Sequence, residues 1–539
     1  MRIGKLLLVI VSSLSLRLGR TKDIQQRYAR SVVNMDELLK TEEDLVHNLE
    51  EYTARLSKKG SNIRWWIRQM EELHQKGNPV NSFSLIRHMQ ADWLMWKQYL
   101  EKPVVLDSFH YPESVAFIKS KNSALPQEDD MMDAAIAMRR MQATYKMEPS
   151  DIAKGLLDGV QYNSSLASID CLAMARHLMN EWRWTTAEQW ILTAIESLDR
   201  VGSPSEMQSL RGPTQAELFR ALGQVRVEKR NTDGALTAYQ AALKHSPHDS
   251  EIFEEYQSIE VRVLTSPPAE PIKEEPDDDI EEMELPPCCS GRCEVPQKLR
   301  RLYCVYNHVT SPFLKLAPIK TEILSVDPFM ILYHDMVTAK EGVFLRSSSK
   351  GLLLPSQTIN YEKKLYEIAK FRTSKSTWLD NDANQVTLRL TERLADATGL
   401  NINHSEPFHV INYGIGGFFE SHYDVLFSDE NRFLHGQIDR MATTLFYLND
   451  VPQGGGTYFP GVNITVFPRF GTVLFWYNID TKGDQQIRTM HSGCPVIVGS
   501  KWVVSKWVNA NGQEFRRPCL DLNSHSKYMP SVEKLIKLK

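Results

Sequence analysis

The chain has 539 residues and a formal net charge of −4 at pH 7. Charged residues make up 24% and hydrophobic residues 42%, as in ordinary soluble globular proteins. This balance argues against a nucleic-acid-binding protein, because such proteins present a basic surface. The length is enough for three or four domains, at roughly 150 residues each.

The first 20 residues predict a signal peptide. Arg2 and Lys5 form a short basic region before an apolar stretch, residues 6–16, that is too short to span a bilayer. No later stretch is apolar enough for a membrane span, so we expect a soluble protein of the secretory pathway. Three possible N-glycosylation sites agree with this, at Asn163, Asn403 and Asn463.

The seven cysteines are clustered along the chain. One group holds Cys288, Cys289, Cys293 and Cys304, a second holds Cys494 and Cys519, and Cys171 stands alone. In an oxidising compartment these groups predict local disulfides, with a zinc site as the alternative for the first group. The odd count leaves at least one thiol free or intermolecular.

Residues 21–140 are predicted to be a helical N-terminal domain. Apolar residues alternate at spacings of three and four, with Glu42 interrupting the series: Met35, Leu38, Leu45, Leu49, Tyr52 and Leu56. The spacing is typical of a coiled-coil seam. The helix is therefore either a self-association helix or an amphipathic helix that packs inside its own domain.

Residues 145–263 are predicted to hold two helix-turn-helix units with the spacing of tetratricopeptide repeats. The small or apolar positions of the pattern are Ala175, Ala187, Ile191 and Ala194 in the first unit and Gly223, Ala235, Tyr239, Ala242 and Pro247 in the second. Three tryptophans crowd the first unit: Trp182, Trp184 and Trp190. They are core residues, or some of them line a groove for a proline-rich peptide. Residues 264–290 read as an acidic, proline-rich linker.

The pattern changes to β in residues 300–525. Short runs rich in β-branched and aromatic residues, such as TTLFYL and TVLFWY, alternate with turns such as QGGG and PRFG. This favours a barrel or a jelly-roll sandwich. One helix is predicted before these strands, in NYEKKLYEIAKF at 360–371.

A histidine and an aspartate two residues apart suggest a metal site in this β region. A strand places residues i and i+2 on one face, so His422 and Asp424 are expected to point the same way. His491, which lies 67 residues after Asp424, is the candidate third ligand. Two histidines and a carboxylate that leave metal positions open form the site type of non-haem Fe(II) oxygenases.

A lysine ten residues after His491 fits the same hypothesis. Lys501 opens the run KWVVSKWV, and alternation puts it on one face with Val503, Ser505 and Trp507. A lysine inside a barrel is unfavourable unless an anion pairs with it. A dicarboxylate co-substrate that chelates iron with one end would meet Lys501 with the other.

The residues His422, Asp424, His491 and Lys501, with the flanking phrases NYGIGGFFESHYD, FWYN, GCPVIVGSKWV and GQEFRRPC, resemble the 2-oxoglutarate- and Fe(II)-dependent dioxygenases. More narrowly, the chain resembles the collagen prolyl 4-hydroxylase α-subunits. The resemblance implies a multidomain α+β protein with a dimerising N-terminal segment, a TPR-like peptide-binding domain and a C-terminal double-stranded β-helix (jelly roll). It also implies Fe(II), 2-oxoglutarate and L-ascorbate as cofactors.

The resemblance assigns roles to individual residues. His422, Asp424 and His491 would hold Fe(II), and Lys501 would pair with the distal carboxylate of 2-oxoglutarate. Tyr413 and Thr443 match positions that line the co-substrate pocket, and Trp507 matches an aromatic residue near it. Cys494 and Cys519 match a disulfide pair, and Cys304 matches half of another. Two positions depart from the family: Asn509 replaces a histidine, and Trp184 replaces a tyrosine of the peptide-binding unit.

The function implied is that of a procollagen-proline 4-dioxygenase α-subunit, which hydroxylates proline at C4 in X-Pro-Gly sequences. The alternatives are a prolyl hydroxylase acting on another secreted protein and a catalytically weak module that binds proline-rich peptides. The terminal residues KLIKLK do not form a retention signal of the Lys-Asp-Glu-Leu type. The family solves this by binding protein disulfide isomerase in an α2β2 tetramer, which implies location in the lumen of the endoplasmic reticulum.

Overall fold

The computed structural model describes most of the chain, in two compact units that divide between Glu284 and Leu285. The described residues are 35–53, 77–93, 112–121, 124–200, 212–265, 287–293, 303–360, 365–368, 371–426, 440–480, 483–513 and 516. The predicted signal peptide, most of the predicted linker and Cys519 lie outside these ranges. None of the helices in the described part of the chain combines the length and apolar character needed to span a bilayer.

The first unit is helical, as predicted. Its helices are α1 Met35–Thr53, α2 Pro79–Arg87, α3 Pro112–Lys121, α4 Glu128–Tyr145, α5 Pro149–Ala153, α6 Ser168–Asn180, α7 Trp184–Arg200, α8 Gln215–Glu228, α9 Thr232–His245 and α10 Ser250–Thr265. A π-helical turn, His88–Asp92, continues α2. The short strands β1 Leu156–Leu157 and β2 Val160–Gln161 pair with each other as a β-hairpin.

Helices α6 with α7 and α8 with α9 form consecutive packed pairs. The start of α8 is fixed by a capping box, in which Thr214 and Glu217 each bond the other's backbone N–H. Gly223 of α8 lies against the ring of Tyr239 of α9. A Cβ at Gly223 would stand 2.8 Å from that ring, so only glycine permits this approach. Gly223 is therefore a point of close contact between α8 and α9.

The residue that interrupts the apolar series of α1 is a buried hydrogen-bond acceptor. Glu42 is 1% exposed, and its two carboxylate oxygens accept from His88 Nε2 and Trp93 Nε1, each at 2.8 Å. Met35 and Leu38 are also buried within this chain. In the described part of α1, the apolar face thus packs inside its own unit, which was the second of the two alternatives. Dimerisation through residues 21–140 stays a prediction.

The charges around Glu42 extend into a buried network. His88 Nδ1 is 2.6 Å from Asp92 Oδ2, and Arg87 bonds both Asp92 and Asp170 of α6. Burial disfavours the imidazolium of His88, but Glu42 and Asp92 outweigh it and raise the pKa of His88 to about 9. The network ties α1 and α2 to α6, across the predicted boundary at residues 140–145.

Replacing Glu42 by alanine should loosen this region, because it removes one of the two carboxylates that pair with the buried His88 cation and leaves the Trp93 N–H without its acceptor. Removing one member of a buried ion pair costs about 3–5 kcal/mol. Amide hydrogen exchange of the full chain, followed by mass spectrometry, should show faster exchange in 35–53 and 77–93. Glu43→Ala is the matched control, since the neighbouring Glu43 is exposed. Equal exchange in both variants would contradict the role of Glu42.

The second unit is rich in antiparallel sheet. Its strands are β3 Tyr303–Asn307, β4 Ile319–Val326, β5 Phe329–Tyr333, β6 Leu354–Pro355, β7 Gln357–Asn360, β8 Leu365–Ile368, β9 Lys375–Leu379, β10 Phe408–Tyr413, β11 Phe419–His422, β12 Arg440–Tyr447, β13 Gln453–Gly454, β14 Thr457–Phe459, β15 Ile464–Val466, β16 Val473–Tyr477, β17 His491–Gly493, β18 Val496–Val498 and β19 Lys501–Asn509. Two helices accompany them, α11 Ala339–Lys350 and α12 Gln385–Thr398.

Two of the sheets enclose the core of this unit. The larger has the order β3-β4-β5-β16-β12-β19-β10-β9-β6, and the smaller has the order β11-β17-β14-β15. One hydrophobic cluster joins them, with Ile411, Leu445 and Trp476 from the large sheet and Phe459 and Val466 from the small one. The face of the large sheet that carries these residues therefore looks toward the small sheet.

The helix predicted for residues 360–371 is wrong. Residues 360 and 365–368 of this stretch belong to a hairpin, in which β8 pairs with β7 from Gln357↔Ile368 to Asn360↔Leu365. The sequence has a helix-like spacing of apolar residues. Backbone pairing between two adjacent strands overrides that local preference.

The structure differs from the predicted Cys494–Cys519 disulfide: it joins Cys494 to Cys289 and Cys288 to Cys293, while Cys519 lies outside the described residues. Cys304 is exposed on β3 and takes part in neither bridge. Cys494 directly follows β17. The predicted pair rested on the family resemblance and on the local grouping of the cysteines, and neither indicates a bond across the 205 residues that separate Cys289 from Cys494.

Peptide mapping under non-reducing conditions should recover a fragment in which Cys289 is linked to Cys494. The bond is expected because the two Cα atoms lie 5.7 Å apart, within the range that a disulfide spans. Tandem mass spectrometry can assign the linked residues, with the reduced and alkylated chain as the control. A Cys494–Cys519 fragment in its place would contradict the structure.

Candidate active site

The register between two short strands brings the two predicted histidines together. His422 ends β11 and His491 begins β17, and the two residues are directly paired. Their rings lie 4.3 Å apart between centroids. Each ring also rests on aromatic neighbours, His422 on Phe419 at 3.7 Å and His491 against Trp476 at 4.8 Å. The aromatic neighbours restrict the rotamers of both rings.

Asp424 completes the cluster from outside the strand. It lies at a bend two residues past the end of β11, where no ladder of strand hydrogen bonds fixes it. Its carboxylate oxygens stand 3.8 Å from His422 Nε2 and 3.7 Å from His491 Nε2. Possible ligand atoms of the three residues all lie within 4.8 Å of one another. The structure thus brings the predicted triad together.

The backbone fixes which nitrogen each histidine presents to this cluster. His422 Nδ1 lies 2.7 Å from the carbonyl oxygen of Glu420, and His491 Nδ1 lies 3.0 Å from that of Thr489. A carbonyl oxygen only accepts, so each Nδ1 carries the proton and donates it. In the neutral form of each ring, Nε2 is then the nitrogen without a proton, which can bind a metal as in most histidine metal sites. Burial and the neighbouring imidazole lower the pKa of His422, which keeps its ring neutral.

Lys501 lies in the same cavity as the triad. It is 3% exposed, and its Nζ donates to the Thr457 hydroxyl at 3.3 Å. The rings of Tyr413 and Tyr447 lie 5.6 and 5.8 Å from Nζ. Burial lowers the pKa of Lys501 to about 7. In the described residues around it, no carboxylate bonds to the ammonium group, so the cavity offers a cation to an incoming anion.

The face predicted for β19 is confirmed by the cavity lining. Lys501, Val503, Ser505 and Trp507 all line it, together with the predicted Tyr413. Trp507 is 7% exposed, and its Nε1 finds no hydrogen-bond partner among the described residues. Thr443 also lines the cavity, where its hydroxyl donates to Asp424 Oδ2 at 2.6 Å.

Two arginines near the cavity were missed by the sequence reasoning. Arg372 lines the cavity, with its guanidinium 4.7 Å from the Phe419 ring. Arg440 covers the ring of Trp507 at 3.8 Å and donates to the backbone oxygen of Asp424 at 3.4 Å. Neither residue stands at a diagnostic spacing from the metal triad. Only the folded strands show that they are neighbours.

The structure shows the position and contacts of the two residues that depart from the family pattern, Asn509 and Trp184. Asn509 ends β19, and its amide donates to the backbone oxygen of His404 at 2.7 Å. Trp184 begins α7 and meets the exposed Trp182 edge to face at 5.8 Å. Trp190, by contrast, is a core residue, fully buried with its Nε1 bonded to Gln142.

The three predicted glycosylation sites differ in exposure. Asn163 and Asn403 are exposed. Asn463 is half-buried, and its Oδ1 accepts from the Tyr458 hydroxyl at 3.4 Å. Glycosylation at any of the three stays a prediction.

Comparison with protein families places the cavity in a known class. Residues 408–509 match the 2OG-Fe(II) oxygenase superfamily, and residues 31–159 match the prolyl 4-hydroxylase α-subunit, N-terminal region. A solved viral collagen prolyl hydroxylase of Paramecium bursaria Chlorella virus-1, in complex with 2OG, is 22% identical with a TM-score of 0.29, covering 34% of this chain and 96% of its own. That score supports no conclusion about this chain. The segment matched, residues 408–509, contains His422, Asp424, His491 and Lys501, and it defines a 2-oxoglutarate-dependent dioxygenase that uses Fe(II).

Full-length relatives narrow the class. The chain is 31% identical to human prolyl 4-hydroxylase subunit alpha-1 over 517 residues, covering 91% of this chain and 95% of the relative. It is 30% identical to chicken prolyl 4-hydroxylase subunit alpha-2 over 519 residues, covering 92% and 95%. The chain therefore belongs to the prolyl 4-hydroxylase α-subunit family.

Proposed function

We propose that this chain hydroxylates proline at C4 in collagen-like X-Pro-Gly sequences, with His422, Asp424 and His491 as the ligands of its Fe(II). The observation that carries the proposal is the shared cavity, which holds two unprotonated imidazole nitrogens, a carboxylate and a buried lysine. The bound iron and 2-oxoglutarate would supply the activation of dioxygen. The chain's own residues hold these groups and exclude water.

The donor set fits Fe(II). Ligand atoms of the two histidines and the carboxylate lie within 4.8 Å of one another in the cavity lining, and three such ligands would leave other positions on a bound Fe(II) for the co-substrate. Burial disfavours the charged carboxylate, but the nearby Arg440 cation and the hydrogen bond from Thr443 help to lower the pKa of Asp424, so it stays ionised. The group is thus ready to bind a cation without losing a proton.

Lys501 fits the distal carboxylate of 2-oxoglutarate. Its ammonium group is enclosed by the rings of Tyr413 and Tyr447 and by the Thr457 hydroxyl, which also bonds Tyr447 at 2.8 Å. A carboxylate here would meet a cation in surroundings of low polarity, where their attraction is strong. Thr457 is a residue of this proposed pocket that the sequence reasoning did not identify.

The two larger sheets support a double-stranded β-helix. They face each other across one hydrophobic core, with the cavity opening between strands of both. In the first unit, the packed pairs α6–α7 and α8–α9 support a TPR-like peptide-binding domain. Trp182, which is 74% exposed, and the neighbouring Trp184 offer an aromatic surface that a proline-rich chain can contact.

We further propose that the chain works in the lumen of the endoplasmic reticulum as an α2β2 tetramer with protein disulfide isomerase, and that ascorbate sustains its iron. The apolar N-terminal stretch and the two disulfides of the second unit support an oxidising compartment. The relatives are named as subunits, which supports a partner chain.

Activity on a (Pro-Pro-Gly) peptide tests the proposed reaction. The full chain, co-expressed with a disulfide isomerase, should form 4-hydroxyproline and an equal amount of succinate when given Fe(II), 2-oxoglutarate and ascorbate. His422→Ala should lose nearly all of this turnover because it removes a metal ligand. Mass spectrometry detects both products. Turnover no higher than that of His422→Ala would refute the proposal, and turnover only on other proline-containing peptides would favour a different secreted substrate.

Binding of 2-oxoglutarate should weaken as pH rises above about 7, because Lys501 then has to take up a proton on binding. Below pH 7 the lysine is already charged, so affinity should be flat. Above it, the dissociation constant should rise about tenfold per pH unit while the bound lysine stays protonated. Calorimetry of the metal-loaded chain at pH 8.5, in two buffers of different ionisation enthalpy, measures the proton uptake.

Three variants give this measurement its controls. Lys501→Ala should raise the 2-oxoglutarate dissociation constant strongly while the metal still binds, and Lys501→Arg should bind with little proton uptake. Lys506 is the matched control, since it is a buried lysine of the same strand that bonds Asn381 and Glu406 and does not line the cavity. Lys506→Met should leave the co-substrate affinity unchanged. Equal effects at Lys501 and Lys506 would remove Lys501 from the pocket.

A further inference from the structure

The position of Asp424 needs an explanation beyond its strand. His422 and His491 are fixed by pairing with each other, whereas Asp424 lies at a bend past the end of β11. A side chain of the large sheet holds its carboxylate: the hydroxyl group of Thr443, on β12, donates a hydrogen bond to Asp424 Oδ2 at 2.6 Å. The direction in which the Thr443 hydroxyl points therefore influences the orientation of the Asp424 carboxylate.

A second residue fixes that hydroxyl. Asn478 directly follows β16, is 3% exposed, and its Nδ2 lies 2.9 Å from Thr443 Oγ1 and 3.3 Å from the backbone oxygen of Arg440. A backbone oxygen can only accept, so the amide turns its NH2 group toward it. The other proton of that NH2 goes to Thr443. The Thr443 hydroxyl accepts this hydrogen bond from Asn478 and in turn donates a hydrogen bond to the ionised carboxylate of Asp424.

The backbone of Asn478 holds the amide in place. Its N–H donates to the backbone oxygen of Met441, and its carbonyl accepts from the N–H of Gln486, both at 2.8 Å. Asn478 does not line the cavity, so it reaches the metal site only through Thr443. Within the described residues, this gives a one-way chain of donors that ends on Asp424.

We propose that Asn478 is a positioning residue of the metal centre, which orients the Thr443 hydroxyl and so holds the Asp424 carboxylate in place for Fe(II). The inference rests on the proposed role of Asp424 as a ligand. Partners that hydrogen-bond to metal ligands typically change metal affinity by about 10- to 100-fold when they are removed. Asn478→Leu, which keeps the size but removes the donors, should weaken metal binding within that range.

The test uses Co(II) binding to the purified full chain, followed by its electronic absorption spectrum and by competition with a chelator. Asn478→Leu and Thr443→Val should each raise the Co(II) dissociation constant at least tenfold, and the double variant should be no weaker than Thr443→Val alone. That lack of additivity is expected because the asparagine acts through the threonine. Thr443→Ser, which keeps the hydroxyl, should bind Co(II) nearly as well as the unchanged chain.

A matched variant at another buried asparagine distinguishes the proposed positioning role of Asn478 from a general contribution to folding stability. Asn307 is fully buried, and its Nδ2 also makes two bonds, to Thr310 and to the backbone oxygen of Ala397. Asn307→Leu should lower the thermal stability of the metal-free chain without changing the Co(II) dissociation constant. If Asn478→Leu does not fold, Asn478→Ser replaces it, with the same expected loss of affinity.

Two outcomes overturn the inference: Co(II) affinity of the Asn478 variant equal to that of the unchanged chain, or additive losses in the double variant. If the proposed metal site itself is wrong, the measurements give a different result. In that case the unchanged chain itself would fail to bind Co(II), or His422→Ala would bind it equally well. Normal binding by the unchanged chain, lost in His422→Ala and kept in Asn478→Leu, refutes only the role of Asn478.

Discussion

The pairing of His422 with His491 is the constraint on which the rest of the site depends. The two residues stand opposite each other on β11 and β17. Because side chains alternate along a strand, a shift of one residue would turn one ring away from the other. The disulfide Cys289–Cys494 attaches immediately after β17. The same cavity is lined by this pair, by Asp424 and by Lys501.

The grouping of His422 and Asp424 was predicted correctly, but for an incomplete reason. Strand alternation was expected to put both on one face, yet the strand ends at His422. What holds Asp424 near the histidines is a set of bonds from β12, which lies in the other sheet: Thr443 to its carboxylate and Arg440 to its backbone. For β19 the same reasoning was sufficient, because all nine residues stay in the strand.

Buried charge explains two irregularities in the sequence. Glu42 breaks the apolar series of α1 because it accepts bonds from His88 and Trp93 inside the first unit. Lys501 and Lys506 sit in one apolar strand because each faces a different polar partner, a cavity for the first and the Asn381 and Glu406 oxygens for the second. A charged residue in an apolar pattern thus indicated a specific contact, although the sequence did not show with what.

The sequence by itself determined the helical first half, the β-rich second half, the candidate metal-binding triad and the face of β19, because these follow from local periodicity and from motifs of fixed spacing. Only the tertiary structure decided which cysteine pairs with Cys494, that residues 365–368 are a strand, and that Arg372, Arg440, Thr457 and Asn478 surround the site. Those contacts join residues far apart in the chain. Their partners are selected by how the strands pair and pack, and no local pattern records that choice.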